Sequence, residues 1–336
     1  MTEENKDMSE VRTDMDNKKE YDILCIGEML ADIIVSGVKS VHFDAFAERT
    51  DEIRIRPGGD AFNNAIDMAR LGNSVCCAGR ISTDVIGQSL LQAGTDAGVD
   101  MSHVIPTGTP QAKMTILITS DDKRAFFYYP GTSAELVPED IDLSLLERCR
   151  LLQIGSTFHL TGFDGEGACG ILREAGKRGV ITSMDVTSDF SGKWDKIIHC
   201  CYPYLDYFLP SIEQAEKITG TSDEREIASY LLGEGVRNVV VKLGSRGSYF
   251  RNQKEEFWCG VCDVPVVDST GAGDAFVSGF LTGVLHGMSH QEAARLGTVC
   301  SAGVIQSVGA NAGMPSMEEA AACLRTNLPV ISFRKP

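Results

Sequence analysis

The sequence lacks long hydrophobic runs and is poor in positive charge. No stretch approaches about 18 consecutive apolar residues, roughly the length needed to cross a membrane. Lys and Arg number 31 against 47 Asp and Glu, so the formal net charge is −16. Nucleic-acid phosphates and anionic lipid surfaces repel a chain this acidic, and no local basic patch offsets the balance. We therefore expect neither a nucleic-acid partner nor a membrane partner.

The N-terminal segment also lacks the apolar stretch of a secretory signal. Residues 1–20 are polar and of mixed charge, so we expect a disordered tail followed by one folded unit over residues 21–336. The eleven cysteines are scattered and odd in number, which favours reduced thiols over disulfide bonds. Together these features predict a cytoplasmic protein.

Common site motifs are missing as well. Cysteine and histidine show no zinc-ligand spacing, and there is no Walker A sequence for binding nucleotide phosphates. Residues 165–170 fit G-x-G-x-x-G, which leaves a dinucleotide-dependent oxidoreductase as one alternative. This match follows no clear strand, and no acidic ribose partner stands convincingly after it. We interpret it as a chance match in a chain with 34 glycines.

What the sequence does contain is a regular β-α alternation. Short β-branched runs predict buried strands at 23–27, 151–155, 180–185, 207–210 and 238–244. Helical spacing predicts helices at 60–71, 165–178, 212–219 and 224–234. Nearly continuous apolar strands that alternate with helices favour a doubly wound, mostly parallel sheet with helices on both faces.

Two regions depart from this pattern. Residues 112–119 alternate between two faces, and a turn at 120–123 joins them to a second strand that ends near residue 129. The segment from about 31 to 56 also has strand-like pieces with little helical periodicity. We expect these regions, about 31–56 and 112–130, to form a small β sheet apart from the main one.

The most informative segment is VVDSTGAGDAFVSGFL at 266–281. An apolar run ends at Asp268, a Gly-Ala-Gly turn follows, and a helical stripe then begins. The free N–H groups and the positive dipole end of such a helix favour an anion such as a phosphoryl group. Asp274 in the first turn could simply stabilise the helix, or it could accept a proton from a hydroxyl that attacks the bound phosphoryl group.

A second segment, RPGGDAFNNAIDMARLG at 56–72, places a double glycine before a helix. Asp60, Asn63 and Asn64 fall in its first turn. One of them would suffice as a helix cap. The carboxylate and amide groups of all three could hydrogen-bond several hydroxyls of a polyol.

These two segments, DSTGAGD at 268–274 and GGDAFNNAIDMARLG at 58–72, resemble the paired signatures of the PfkB/ribokinase family of carbohydrate kinases. The resemblance extends over about residues 21–330. It implies a ribokinase-like doubly wound α/β fold with a small β-sheet lid formed by the two irregular regions. It also implies ATP and Mg²⁺ as cofactors, transfer of the γ-phosphoryl group to a sugar hydroxyl, and a homodimer formed through the lid strands.

The resemblance further implies roles for individual residues. Asp274 corresponds to the catalytic base. The anion hole corresponds to Gly271, Ala272 and Gly273. Sugar-binding positions correspond to Asp32, Gly58, Gly59 and Asn63, with Asp60 beside them. Positions next to the nucleotide correspond to Lys242, Gly244, Gly247 and Thr270. A monovalent cation, K⁺ in some members, would lie at Asp268, Thr270 and Gly309.

The chain departs from the family pattern after the strand near residue 209. Many members carry Asn-x-x-Glu there, a motif connected with magnesium and phosphate, whereas this chain has Ser211 and Gln214. Either Glu213 or Glu216 could supply the missing carboxylate. Asp185, which ends a predicted strand, receives no role from the resemblance.

The substrate that accepts the phosphoryl group is less closely defined. Asp60 stands where related kinases often have Lys or a small residue, and its charge would repel a sugar acid, so we expect a neutral pentose or hexose. A nucleoside is the second choice, because Phe62, Phe126 or Tyr128 could stack on a base. Arg124, beside an acidic turn, is interpreted as a solvated surface charge. A non-catalytic sugar or nucleotide sensor remains a further alternative.

Overall fold

The computed structural model of this chain describes residues 19–39, 47, 49–119, 124–326 and 329–333. Apart from residues 19 and 20, the predicted tail lies outside the described residues, as does the predicted turn at 120–123. Among the described helices, none combines the length and apolar character needed to span a bilayer.

The described elements follow the predicted alternation. The strands are β1 Tyr21–Gly27, β2 Leu30–Val38, β3 Glu52–Gly58, β4 Val75–Ser82, β5 Val104–Thr107, β6 Lys113–Thr119, β7 Arg124–Tyr129, β8 Cys149–Thr157, β9 Ile181–Val186, β10 Tyr207–Phe208, β11 Asn238–Lys242, β12 Ser248–Asn252, β13 Glu256–Cys259 and β14 Ile331–Ser332. The helices are α1 Asp60–Arg70, α2 Val85–Asp96, α3 Leu145–Arg148, α4 Glu166–Lys177, α5 Asp195–Ile198, α6 Ile212–Thr219, α7 Glu224–Gly233, α8 Ala272–Leu285, α9 His290–Val304 and α10 Met317–Thr326.

The main sheet has ten strands in the order β14-β13-β12-β11-β10-β9-β8-β1-β4-β5. From β11 to β5 neighbouring strands are parallel, and β12 to β14 continue the sheet in antiparallel fashion. Successive residues of β1 face opposite cores: Leu24 and Ile26 pack on one side, Ile23 and Cys25 on the other. Both faces of the sheet are therefore covered, which confirms the predicted doubly wound α/β fold.

The strand order reverses between β1 and β8. From β1 the chain proceeds outward through β4 and β5, and later it proceeds the other way from β8 through β9. Gly27, the last residue of β1, is the register partner of Gly155 near the end of β8, and a Cβ on Gly27 would collide with the carbonyl of Gly155. Ligands of open α/β sheets bind in the crevice at such a reversal, outside the carboxyl ends of the strands.

The predicted small sheet is present, with the strand order β3-β2-β6-β7. We call it the lid sheet. The register places Asp32, Ile116 and Phe126 on the face toward the crevice, where they border a cavity. The opposite face carries the exposed side chains of Ile55 and Phe127.

Candidate active site

The glycine turn before α8 adopts a conformation that suits glycine alone. Gly271 has φ 78°, in the left-handed region where a Cβ is unfavourable. A Cβ at this position would also press against the backbone of Ala310. The start of α8 can therefore lie directly against the backbone of Ala310 only because residue 271 has no side chain.

The first turn of α8 offers free amide groups. The N–H groups of Gly273 and Asp274 have no hydrogen-bond acceptor in the described part of the chain, as expected at a helix start. The N–H group of Ala272 already bonds to the carbonyl of Ser269 at 3.3 Å. Of the three residues predicted as an anion hole, Gly273 has an unpaired N–H at the helix start, Gly271 shapes the turn, and Ala272 is partly engaged.

Two asparagines of α1 hold Asp274 in place. Asn63 Nδ2 donates to Asp274 Oδ2 at 2.7 Å. Asn64 Nδ2 donates to the Asp274 carbonyl at 3.0 Å and to Ser278 Oγ at 3.2 Å. Asn64 is fully buried, so it links α1 to α8 and cannot contact hydroxyls as the sequence suggested. Asn63 borders the crevice and orients the predicted base.

The pKa of Asp274 suits a base. Burial raises its pKa to about 6, and the charge of Asp185 adds to the rise, whereas the Asn63 hydrogen bond and Lys242 act in the opposite direction. At neutral pH the carboxylate is therefore mainly ionised, yet it binds a proton more readily than an ordinary aspartate. Burial here outweighs the helix start, which by itself lowers the basicity of a carboxylate.

Two cavities adjoin this carboxylate. One, of about 900 Å³, extends along the loops after β9, β10 and β11 and is bordered by Lys242, Gly244 and Gly247. The other, of about 250 Å³, lies under the lid sheet. Gly273 and Asp274 border both. A ligand in each cavity would therefore meet the other at the start of α8.

Asp32 approaches the smaller cavity from the lid sheet. Its side chain is buried and has no donor among the described residues. A Cβ on Gly58 would lie 2.5 Å from its carboxylate, so that glycine makes room for it. Burial and the charges of Asp274 and Glu28 raise the pKa of Asp32 to about 8. Gly59 borders the same cavity, and a Cβ there would lie 2.7 Å from the Glu28 carbonyl.

Asp60 borders both cavities and is also tied to the end of β8. Its Oδ2 accepts from the Ser156 N–H at 3.2 Å, and its own N–H donates to Ser156 Oγ at 2.9 Å. Burial and the charge of Asp274 raise its pKa well above the ordinary value. Asp60 thus adds a further acidic group where the two cavities meet.

A buried pair that the sequence analysis did not identify also reaches the smaller cavity. Glu28 accepts from the Tyr128 hydroxyl at 2.6 Å and lies 3.1 Å from His159 Nδ1. The rings of Tyr128 and His159 stack at 4.1 Å. His159 Nε2 is buried, has no partner among the described residues, and belongs to a side chain that borders the cavity. It is therefore an unpaired polar atom at the edge of this cavity.

Asp185, to which the sequence gave no role, contacts a predicted nucleotide-site residue. Lys242 Nζ donates to Asp185 Oδ2 at 2.5 Å, and both side chains border the larger cavity. A Cβ on Gly273 would lie 3.5 Å from this Nζ. Because β9 and β11 are parallel, their carboxyl ends bring the two residues to the same edge of the sheet as α8. A positive charge therefore lies close to the free amide groups.

Asp268, Thr270 and Gly309 come together as predicted, but a further residue joins them. Arg124 Nη1 lies 3.0 Å from Asp268 Oδ1 and 3.1 Å from Thr270 Oγ1. The interpretation of Arg124 as a solvated surface charge is therefore wrong. The residue starts β7 of the lid sheet and crosses to the main body, where Asp268 is almost completely buried.

The comparison with known sequences identifies the family. Residues 21–317 match the pfkB family carbohydrate kinase. The chain belongs to this family. It is an ATP-dependent carbohydrate kinase, and the resemblance noted from its two glycine-containing segments is confirmed.

Named relatives of this kinase act on different acceptors. The 2-dehydro-3-deoxygluconokinase of Bacillus subtilis (strain 168) is 28% identical over 284 residues, covering 79% of this chain and 86% of that protein. The fructoselysine 6-kinase of Escherichia coli (strain K12) is 30% identical over 255 residues, covering 75% of this chain and 91% of that protein. Similarity at this level establishes phosphoryl transfer to a sugar and leaves the acceptor open.

Solved structures agree with the fold of this kinase. The ribokinase of Thermotoga maritima superposes with TM-score 0.78 at 25% identity, covering 91% of this chain and 100% of that one. The ribokinase of Arabidopsis thaliana complexed with ribose and ATP superposes with TM-score 0.80 at 23% identity, covering 91% of this chain and 99% of that one. The ribokinase-like fold predicted from the sequence is confirmed.

The kinase's departure at Ser211 and Gln214 has a structural consequence. Ser211 caps α6, and its N–H donates to Gln214 Oε1 at 2.6 Å. Gln214 Nε2 donates to the Val186 carbonyl at 2.6 Å. The glutamine is thus occupied by backbone groups. Of the two glutamates considered as replacements, Glu213 borders the larger cavity.

Proposed function

We propose that this kinase transfers the γ-phosphoryl group of ATP to a hydroxyl of a neutral pentose or hexose, with Asp274 as general base. The observation that carries the proposal is the shared border of the two cavities at Gly273 and Asp274. ATP in the larger cavity and a sugar in the smaller one would bring the phosphoryl group and the hydroxyl together at this point.

The larger cavity suits a nucleotide with magnesium. The Glu213 carboxylate borders it, and carboxylate oxygens are the ligands that Mg²⁺ prefers, so this residue fits the ion, whereas the Asp185 oxygens are already paired with Lys242 and the Val186 N–H. Magnesium bound with ATP neutralises phosphate charge. Lys242 supplies a fixed positive charge near the start of α8, and the loop with Gly244 and Gly247 leaves room for the nucleotide.

The catalytic step needs little covalent chemistry from the protein. Phosphoryl transfer depends mainly on alignment and on stabilising the charge of the phosphoryl oxygens. The Gly273 amide and the helix dipole serve the phosphoryl group. Asn63 holds the Asp274 carboxylate, which removes the proton from the attacking hydroxyl. The lid sheet above the smaller cavity excludes water.

The charges around the smaller cavity favour a neutral acceptor. Glu28, Asp32, Asp60 and Asp274 all border it. These carboxyl groups can hydrogen-bond sugar hydroxyls, and none of them supplies the positive charge that would pair with the carboxylate of a sugar acid. His159 Nε2 offers one further polar contact to a hydroxyl. On these grounds the acceptor differs in charge from that named for the Bacillus subtilis relative.

A panel of acceptors tests this proposal. ADP release is measured with pentoses, hexoses and nucleosides, and with matched pairs such as glucose and gluconate, and the phosphorylated product is identified by mass spectrometry. We expect at least one neutral sugar to be a substrate. For each matched pair, kcat/KM should be about tenfold or more lower for the acid, because the ionised Asp274 carboxylate borders the cavity and repels a second negative charge.

Two outcomes would contradict the proposal. A sugar acid that is phosphorylated faster than every neutral sugar would show that the carboxylates do not select by charge. Binding of sugars without acceptor-dependent ADP release would favour the sensor instead.

A nucleoside acceptor is the second candidate, and Phe126 favours it. Of the three aromatic residues considered for base stacking, Phe62 is buried in the core and Tyr128 is stacked on His159. Phe126 is exposed and borders the smaller cavity. If nucleosides in the panel are phosphorylated faster than free pentoses, this candidate replaces the first.

We also propose that the kinase forms a homodimer through its lid sheets. Ile53, Ile55 and Phe127 are exposed on the lid face that points away from the cavity, and an exposed apolar face of this kind favours association. Light scattering should give twice the mass of the chain, and Ile55→Asp should shift the molecule to the monomer. A monomeric mass for the unaltered chain at all concentrations would contradict this proposal.

A further inference from the structure

The residues expected to hold a monovalent cation are already bonded to one another and to an arginine. Asp268 Oδ1 accepts from the Thr270 N–H at 3.0 Å and from Thr270 Oγ1 at 2.8 Å. Asp268 Oδ2 accepts from the Gly309 N–H at 3.0 Å. The Arg124 guanidinium bonds to both Asp268 Oδ1 and Thr270 Oγ1. These side-chain oxygens therefore face donors.

This arrangement does not fit a bound K⁺. A monovalent cation needs oxygen atoms with free lone pairs, whereas a guanidinium already lies 3.0 Å from the carboxylate. Two cations sharing one buried carboxylate would repel each other strongly in a region of low dielectric. Both carboxylate oxygens of Asp268 are thus already paired, Oδ1 with Thr270 and Arg124 and Oδ2 with the Gly309 N–H.

We propose that the Arg124 guanidinium takes the place of the monovalent cation, so that this kinase transfers phosphoryl groups without K⁺. The proposal rests on the proposed function, because the charge of Asp268 matters only if a phosphoryl group is held at the start of α8. Arg124 is a positioning residue in this account: it acts on the turn at Thr270 and Gly271 and does not touch the reacting atoms.

The physical reason is the balance of charge beside the anion hole. Asp268 lies three residues before Gly271 in the same turn. An unpaired carboxylate there would repel the phosphoryl oxygens, whose negative charge must be stabilised during transfer. A guanidinium with fixed geometry removes this repulsion and also holds the Thr270 hydroxyl.

Arg124 also differs from a free ion in its attachment. It belongs to β7 of the lid sheet, whereas Asp268 and Thr270 belong to the loop before α8. The positive charge is therefore delivered when the lid sheet lies over the crevice. A mobile ion would bind whether or not the acceptor cavity is covered.

The test replaces the arginine and asks whether K⁺ can replace it. Initial rates are measured with saturating substrates in potassium chloride and in tetramethylammonium chloride of equal ionic strength. The unaltered kinase should be equally fast in both salts. Arg124→Ala should be slowed about tenfold to a hundredfold in tetramethylammonium, because the glycine turn loses its support, and K⁺ should restore a large part of the rate.

Thermal unfolding gives a second measurement that does not depend on activity. K⁺ should raise the unfolding midpoint of Arg124→Ala relative to tetramethylammonium, since an ion that binds only the native state stabilises it. It should leave the midpoint of the unaltered protein unchanged. If no acceptor supports turnover, the proposed function fails while this measurement still decides the role of Arg124.

Two further variants isolate the effect. Arg54→Ala removes another lid-sheet arginine, which pairs with Glu52 at 2.5 Å, and it should behave like the unaltered chain. In the double variant Arg124→Ala/Asp268→Asn there is no negative charge at residue 268 for K⁺ to neutralise. K⁺ should therefore change neither the rate nor the unfolding midpoint.

Three results would overturn the proposal. The unaltered kinase could slow down severalfold when K⁺ is removed. Arg124→Ala could keep the full rate without K⁺. Finally, Arg124→Ala could be slow yet show no response to K⁺ in either rate or unfolding midpoint, which would mean that the arginine acts only by holding the lid sheet.

Discussion

Asp274→Asn should lower kcat about 10²–10⁴-fold, the range that a general base contributes. The substitution keeps the shape of the side chain and its place in the first turn of α8. It removes the only property the account requires of this residue, the ability to accept the proton of the attacking hydroxyl. The KM values for ATP and acceptor should change little, because neither cavity changes shape. Steady-state kinetics on the best acceptor from the panel would measure the effect.

A matched control separates chemistry from helix stability. Glu292 also lies in the first turn of a helix, α9, where its exposed carboxylate accepts from the N–H of the N-cap residue Ser289 at 2.9 Å. Glu292→Gln should reduce stability slightly and leave kcat unchanged. If Asp274→Asn retained nearly normal turnover with an intact fold, Asp274 could not be the base.

The same assignment predicts a dependence on pH. The pKa of Asp274 is raised to about 6, and the base acts only when it is ionised. The value of kcat/KM should therefore be constant at neutral pH and fall by about tenfold per pH unit below pH 6. In Asp274→Asn this acid limb should disappear from the residual activity. A limb that persists unchanged in the variant would assign the titration to another group.

Gly271→Ala should lower kcat about 10²–10³-fold, comparable to the loss of one donor from an oxyanion hole. Residue 271 has φ 78°, and a Cβ there would press against the backbone of Ala310, which cannot move aside as a flexible side chain could. The turn must therefore shift, and with it the Gly273 amide. Kinetics and thermal unfolding together would measure the loss of rate and of stability.

Gly179→Ala is the control for this substitution. Gly179 has φ 72°, but nothing lies within 4 Å of the position its Cβ would occupy. It should therefore show only the cost of a left-handed alanine, about 1–2 kcal/mol, with normal kcat. If Gly271→Ala were as active as Gly179→Ala, the shape of the turn would not matter for transfer.

Much of the fold could be predicted from the sequence because periodicity reports burial directly. The strands of the parallel core are nearly continuous apolar runs, and the hairpin of β6 and β7 alternates with period two. The glycine turn and Asp274 could also be predicted from the sequence, since both lie in one short segment. What periodicity could not supply was the partner of each polar residue, as Asn64 illustrates: its amide lies inside the protein against α8.

The residues that were missed or misjudged all act across long separations in the chain. Arg124 meets Asp268 only because the lid sheet folds back over the loop before α8. Asp185 and Lys242 meet because parallel strands end at one edge. His159 reaches Glu28 through the adjacency of β1 and β8. A polar residue at or just beyond the carboxyl end of a buried parallel strand was the available signal for Asp185 and His159, whereas nothing local identified Arg124.

Transfer of labelled phosphate tests the central claim most directly. The kinase and Asp274→Asn are each incubated with [γ-³²P]ATP, Mg²⁺ and the best neutral acceptor, while equilibrium dialysis measures the binding of both substrates. We predict that both proteins bind ATP and sugar alike, and that label appears on the sugar about 10²–10⁴-fold more slowly with Asp274→Asn than with the unaltered kinase. Equal labelling by the two proteins, or ADP release by the unaltered kinase without labelled sugar, would contradict the account.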